Sequence, residues 1–371
     1  MTAPLPRIAL SEPDLRGNEA KYLQACVTDN WVSSAGHFIQ DFERMIAAKS
    51  GTEHAVALCN GTVAIKMALL ACGVGPGDAV ILPDWTFIAS ANAVSDTGAK
   101  PIFVDVTQDT WSLDPALVAQ AIAKYPNVKA IVAVHPLGYT CDMDALLEAA
   151  GDVPIVEDAA GALGATYGGR LAGGIGRFGC LSFNGNKMIT AGAGGAVVTH
   201  DAEAAKWLRH VTAQARIGTD YRHDSPAFNY RMSNLNAAVG KAQMERFDEI
   251  QAIKHKIGDA YRAVLSTDSR VRLKAMPNPQ WGEGNDWLFS VLCETEEVAE
   301  SLIAHLDYRG IDSRKFWRAL SSQPAYKGAE FISAGVAESL SGRVVSLPCS
   351  TGLSDDDLSR ITDAVEAFLA A

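Results

Sequence analysis

From about residue 55 to 200, short apolar runs alternate with stretches whose apolar residues recur at helical spacing, and each run stops at turn or polar residues. The runs are His54-Ala-Val-Ala-Leu, Ala79-Val-Ile-Leu, Pro101-Ile-Phe-Val, Ala130-Ile-Val-Ala-Val, Pro154-Ile-Val, Gly179-Cys-Leu-Ser-Phe and Gly195-Ala-Val-Val-Thr. Runs this short, separated by helical segments, predict parallel strands joined by crossover helices. The expected fold is α/β, with a large, mostly parallel seven-stranded sheet. Residues 236–265 hold few Gly or Pro and space Ala238, Val239, Ala242, Met244 and Phe247 as one long helix. That helix predicts a boundary near 245, with a large domain over 1–245 and a smaller α+β domain over 246–371. In the smaller one, Leu288-Phe-Ser-Val-Leu and Val344-Val-Ser-Leu read as strands, with helices around 296–308 and from Asp355 to the end.

Composition narrows the partners. The 371 residues are 48% hydrophobic and 20% charged, enough to build a substantial core. Lys and Arg total 32 against 43 Asp and Glu, a net charge of −11, which disfavours nucleic acid or an anionic membrane as partner. An anionic ligand needs a local basic pocket. No stretch approaches the roughly 20 apolar residues of a membrane span, and Met1-Thr-Ala-Pro-Leu-Pro-Arg lacks the pattern of a leader, so a cytoplasmic protein is expected. The seven cysteines are scattered and never form a CxxC pair, which speaks against a disulfide framework and against a metal site.

In open parallel sheets, ligands bind at the carboxyl ends of the strands, so the residues just after each apolar run carry the chemistry. Ser182-Phe-Asn-Gly-Asn-Lys187 places a lysine between one such run and a glycine-rich turn that feeds the next. Lysines usually sit on the surface as solvated charges. Partial desolvation at a strand end lowers a lysine's pKa toward what attack on an aldehyde requires, so Lys187 is the candidate for a Schiff base with pyridoxal phosphate. Asp158 follows another run and can pair with a protonated pyridine nitrogen, although an Asp there is also a common helix N-cap. Asn60-Gly61-Thr62 opens a helical stretch, either as a phosphate site or as an ordinary capping turn. The glycines of Gly73-Val-Gly-Pro-Gly follow a helix and precede a strand, the wrong order for a dinucleotide fingerprint.

Together these segments resemble the DegT-type sugar aminotransferases, a branch of the fold type I pyridoxal phosphate enzymes. The resemblance runs nearly end to end through Gly17-Asn-Glu, Trp31-Val-Ser-Ser-Ala-Gly, Asn60-Gly-Thr, Trp85-Thr-Phe-Ile-Ala-Ser-Ala-Asn, Phe103-Val-Asp-Val, His135 with Gly138, Glu157-Asp-Ala-Ala, Ser182-Phe-Asn-Gly-Asn-Lys, Asn229-Tyr-Arg-Met and Ser346-Leu-Pro. The SFxGNK and NYRM segments look most like the subgroup of GDP-perosamine synthases and legionaminic-pathway enzymes. The resemblance implies that Lys187 binds the cofactor and shuttles protons, and that Asp158 pairs with the ring nitrogen. It implies that Phe87 stacks on one ring face and Ala160 lies against the other. Gly61, Thr62 and Ser182 would hold the phosphate, joined by Asn229 from a second subunit, so a homodimer with shared sites is implied. Tyr230, Arg231, Trp31 and Ser33 would shape the substrate site.

The implied reaction moves an amino group from L-glutamate to a keto-sugar, at carbon 4 of a nucleotide-linked 4-keto-6-deoxyhexose, in the service of surface-polysaccharide synthesis. A free keto-sugar acid, a cyclitol ketone, or a relative that binds the cofactor without transamination are the alternatives. Two positions depart from the pattern. Where many relatives carry Gln, Glu or His, this chain has Gly161. Where the subgroup has a histidine-bearing loop, this chain has Ser313-Arg-Lys-Phe-Trp-Arg318, whose cations Arg314, Lys315 and Arg318 either face a diphosphate or sugar carboxylate or simply form a solvated basic loop.

Overall fold

All seven apolar runs form strands, and they belong to one sheet: β1 (His54–Leu58), β2 (Ala79–Pro83), β3 (Lys100–Val104), β4 (Val128–Val134), β5 (Ile155–Asp158), β6 (Phe178–Ser182) and β7 (Gly195–Thr199). The computed structural model describes residues 6–266 and 272–371. The first five residues, on which the expectation about a leader partly rests, lie outside the described residues. Helices α1 (Glu19–Thr28), α2 (His37–Lys49), α3 (Gly61–Ala71), α4 (Ala89–Asp96), α5 (Pro115–Lys124), α6 (Met143–Ala150) and α7 (Ala202–Val211) cover both faces of the sheet. Burial on two faces explains why the strands read as continuous apolar runs rather than alternating ones.

The chain then continues through α8 (Asn234–Met244), α9 (Phe247–Leu265), β8 (Leu273–Ala275), β9 (Phe289–Cys293), α10 (Glu296–Tyr308), β10 (Arg314–Lys315), β11 (Glu330–Ile332), α11 (Val336–Leu340), β12 (Val344–Leu347) and α12 (Asp355–Ala370). Strands β8, β9, β12 and β10 make a second, antiparallel sheet in that order. Among the described residues no helix is long and apolar enough to cross a membrane, and no cluster of His, Cys, Asp or Glu could hold a metal ion.

Two expectations change. The large sheet has eight strands, in the order β1-β7-β6-β5-β4-β2-β3-β11. The eighth, β11, comes from the C-terminal part of the chain and pairs in parallel with β3, Glu330 opposite Ile102 through Ile332 opposite Val104. In the other direction, Ile8 lies between Gly310 and Asp312, accepting from Asp312 N at 2.9 Å and donating to Gly310 O at 2.8 Å. The predicted long helix is also two helices. The break at Glu245–Arg246 lies where Arg246 turns its guanidinium to Asp14 Oδ2, 3.0 Å away, and Gln243 donates to the Asp14 carbonyl at 2.7 Å.

Register gathers the strand ends. β7 runs antiparallel to both neighbours, so its first residue, Gly195, lies opposite Leu58 at the end of β1 and Ser182 at the end of β6. Asp158 ends β5 beside Cys180, and Val134 ends β4 beside Asp158. One edge of the sheet therefore presents the residues that follow Leu58, Val134, Asp158 and Ser182 to a common space.

Candidate active site

That space is a cavity of about 490 Å³. It is lined by the sheet edge, by Trp287 and by β10 with the two residues that follow it, Arg314 to Trp317. Asn60 caps α3, its Oδ1 accepting from Val63 N at 2.9 Å. The amides of Gly61 and Thr62, at the first turn of α3, face no preceding helical carbonyl and stand at the positive end of the helix dipole. Both residues line the cavity. Close packing here needs glycine: a Cβ on Gly61 would lie 2.8 Å from Ser182 Cβ, and one on Gly195 would lie 2.5 Å from the Asn60 carbonyl. The capping turn read from the sequence is present, and it leaves the Gly61 and Thr62 amides facing the cavity.

Lys187 sits in a bend, its backbone N–H donating to Asn184 O at 3.0 Å. Its residue surface is half-buried, but its amine is surrounded by protein, and that desolvation lowers its pKa to about 8, against the opposing pull of the Asp158 charge. The Nζ lies 3.8 Å from the centre of the Trp287 ring.

Asp158 is buried, and no helix starts after it, so it is not an N-cap. Its Oδ1 accepts from Ala160 N at 3.1 Å, and its Oδ2 accepts from Ser90 Oγ on α4 at 2.6 Å. Behind it, the buried Glu157 accepts from His135 Nε2 and from the amides of Gly173, Ile175 and Gly176, contacts that hold its carboxyl below the usual range against the desolvation that opposes them.

Phe87 and Ala160 both line the cavity, and Phe87 is more than half exposed. Arg314 and Lys315 line it as well, but Arg318 does not. The three cations differ in charge balance. Lys315 Nζ lies 2.8 Å from both Glu296 and Glu300 on α10, and Arg318 reaches Glu296 at 3.2 Å. Arg314 is exposed and has no ion-pair partner among the described residues.

Trp31, Ser33, Asn229, Tyr230 and Arg231 do not line the cavity within one chain. Arg231 pairs with Glu43 at 2.9 Å, leaving its Nη1 buried without a hydrogen-bond partner. Tyr230 accepts from Lys66 and stacks on Phe228. Asn229 is exposed, in a segment that meets the end of β1 through Leu58 and Arg231. Trp31 and Ser33 are exposed and tied to this segment by Asn234, whose side chain donates to Trp31 O and whose backbone donates to Ser33 O.

The sequence assigns no role to Ser90 or Trp287. Ser90 falls within the Trp85–Asn92 motif, but its contact with Asp158, like that of Trp287 with Lys187, is long-range.

Pyridoxal phosphate fits the residues present. A lysine of lowered pKa, a buried carboxylate and a helix N-terminus with free amides open into one space.

Comparisons agree with this chemistry. The sequence profile of the DegT/DnrJ/EryC1/StrS aminotransferase family matches residues 13–366. The chain is 38% identical to the GDP-perosamine synthase of Caulobacter vibrioides over 371 residues, covering 98% of this chain and 99% of that one. It superimposes on S. venezuelae DesV, solved in complex with a ketimine intermediate, with a TM-score of 0.91 at 33% identity, over 99% of this chain and all of the other. DesI, solved in the presence of its TDP-sugar product, matches with a TM-score of 0.90 at 29% identity, over 98% of this chain and 93% of that one.

Proposed function

The chain belongs to the DegT/DnrJ/EryC1/StrS aminotransferase family, and from that premise we propose that it moves an amino group from L-glutamate to carbon 4 of a nucleotide-linked 4-keto-6-deoxyhexose. It is a pyridoxal-phosphate-dependent enzyme. The observation that carries the reading is that Lys187, Asp158 and the Gly61–Thr62 helix start face one cavity. The nucleotide-linked substrate is drawn from the perosamine synthase relative and from the DesI product.

When bound, pyridoxal phosphate supplies a carbon that takes up the amino group and a cationic ring that draws off electrons from the substrate. The residues here supply the rest. The Gly61 and Thr62 amides and the Ser182 hydroxyl would hold the phosphate. Asp158, oriented by the donors Ser90 and Ala160, would pair with the protonated ring nitrogen. Phe87 and Ala160, which both line the cavity, would contact the two faces of the ring. As a neutral amine, Lys187 Nζ accepts the proton leaving the donor's α-carbon; as an ammonium, it gives one to the sugar carbon that receives the nitrogen. Arg314 meets the anionic part of the acceptor at the cavity mouth. Tyr230 and Arg231 shape the substrate side, with Trp31 and Ser33 at its entrance.

The working unit is a homodimer in which Asn229 of each chain completes the other's phosphate site. Support comes from the exposure of the large apolar side chains Trp31, Val32, Ile217 and Tyr221.

The test is to add pyridoxal phosphate to purified protein and follow its visible absorbance. A band that Lys187→Ala loses, that L-glutamate bleaches and that a nucleotide-linked 4-keto-6-deoxyhexose restores is expected. No band, or restoration by a free keto-sugar acid alone, would overturn the reading in whole or in its substrate.

A further inference from the structure

Gly161 is a glycine because Trp287 occupies its side-chain space. A Cβ on Gly161 would lie 2.1 Å from Trp287 Cε3 and 2.5 Å from Cζ3, distances no real contact reaches. The indole is buried, and its Nε1–H donates to the carbonyl of Asn186, the residue before Lys187, at 2.6 Å. The same ring faces Lys187 Nζ. One side chain thus touches the floor beside Asp158, the backbone of the lysine turn and the lysine amine.

The loop that delivers it is held at every residue. Asn285 donates to Gly161 O and Leu163 O, both at 2.9 Å, and its Oδ1 accepts from Trp287 N. Asp286, in a left-handed backbone conformation with φ of 52°, accepts from Tyr139, Arg262 and His255. The buried Lys254 donates to Trp287 O at 3.0 Å. A residue held this firmly keeps its ring in one place.

We propose that Trp287 is a positioning residue for Lys187: its indole fixes the lysine turn through the Asn186 carbonyl, shields the amine from water, and replaces any side chain at position 161 with an apolar wall against the acceptor sugar. The proposal rests on the aminotransferase reading, because it assigns a purpose to the placement of Lys187. Desolvation is the largest influence on the Lys187 amine, and Trp287 is part of the enclosing surface.

The test reads Lys187 directly. In the full chain freed of cofactor, the pH dependence of Lys187 labelling by an amine-reactive reagent, followed by mass spectrometry, is expected to have a midpoint near the value of about 8. Trp287→Ala admits water and moves the midpoint toward that of an ordinary lysine. Trp287→Phe, which keeps an apolar ring but loses the indole N–H, leaves the midpoint closer to the original. In the holoenzyme, Trp287→Phe lowers kcat on the order of tenfold or more with little change in the KM for L-glutamate, because the amine is displaced rather than the donor site lost. Gly161→Gln destabilises the fold through its clash with Trp287, and that loss of stability is relieved once Trp287→Ala has made room. Should both Trp287 variants keep the labelling midpoint and kcat of the parent, the proposal fails. If the parent shows no cofactor band, the aminotransferase reading fails, while the labelling midpoints still decide the role of Trp287. Trp287→Phe makes the smaller change and keeps the test open should Trp287→Ala not fold.

Discussion

Ser90 Oγ donates to Asp158 Oδ2 at 2.6 Å, and both side chains are buried. A hydrogen bond to a buried charge is worth about 1.5–3 kcal/mol. Ser90→Ala should therefore lower kcat/KM by roughly tenfold to a hundredfold while Ser90→Thr retains most of it. Steady-state kinetics on the three proteins check this. An unchanged Ser90→Ala enzyme would show that the Ala160 amide alone sustains Asp158.

The pKa of Lys187 sets a pH dependence. Its folded value, about 8, lies below the ordinary lysine value of 10.5, so the fold disfavours the protonated amine. Below about pH 8 both folded and unfolded chains bind that proton, and the fold carries the full cost of holding it. Between about 8 and 10.5 the unfolded chain binds more protons than the folded one, and cofactor-free stability contributed by this group rises with pH. Lys187→Met should thus be more stable than the cofactor-free parent below pH 8, with the gap closing toward pH 10.5 in urea titrations. A gap independent of pH would refute the desolvated amine.

The cations of the 314–318 loop should separate in function. Arg314→Gln is expected to raise the KM for a nucleotide-linked acceptor by about tenfold, roughly 1.4 kcal/mol, and to blunt its salt dependence, leaving L-glutamate unaffected. Lys315→Gln and Arg318→Gln break pairs with Glu296 and Glu300 instead and should shift thermal stability slightly with the acceptor KM unchanged. Equal KM effects at all three positions would contradict the charge balance seen here.

Complementation tests the shared site. Asn229→Asp sets a negative charge against the partner's phosphate site, and Lys187→Ala removes the amine, so each protein alone should be nearly inactive. Mixed dimers would hold one site with both defects and one intact site. Recovery of activity on mixing after mild dissociation is the expected result, and none would mean that each chain builds its site alone.

Much of the fold could be read along the chain. The seven buried strands are dense in Val, Ile and Ala, and two-faced burial makes such runs conspicuous. β11 was missed because Glu330-Phe-Ile is short, lies at the sheet edge and keeps Glu330 and Phe331 exposed. The helix predicted over 236–265 divides at the point where Arg246 contacts Asp14, more than two hundred positions away, a contact no periodicity reveals. Within the site, Lys187 and Asp158 were visible because strand ends and glycine turns are local signals. Ser90 and Trp287 were not, since each acquires its partner only by folding. How the cations of the basic loop divide could not be read for the same reason: Glu296 and Glu300, which pair with Lys315, project from a separate helix.

The pairing of β11 with β3 bears on how the chain is made. β1 to β7 are synthesised before Glu330–Ile332, so a sheet formed from them alone would leave the outer side of β3 as an open template for pairing with other chains. Lys100 and Pro101 at the start of β3 blunt that template, one by charge and one by lacking an N–H. A nascent chain halted before residue 330 should be the aggregation-prone species, and the C-terminal segment acts for the nascent sheet as a built-in chaperone.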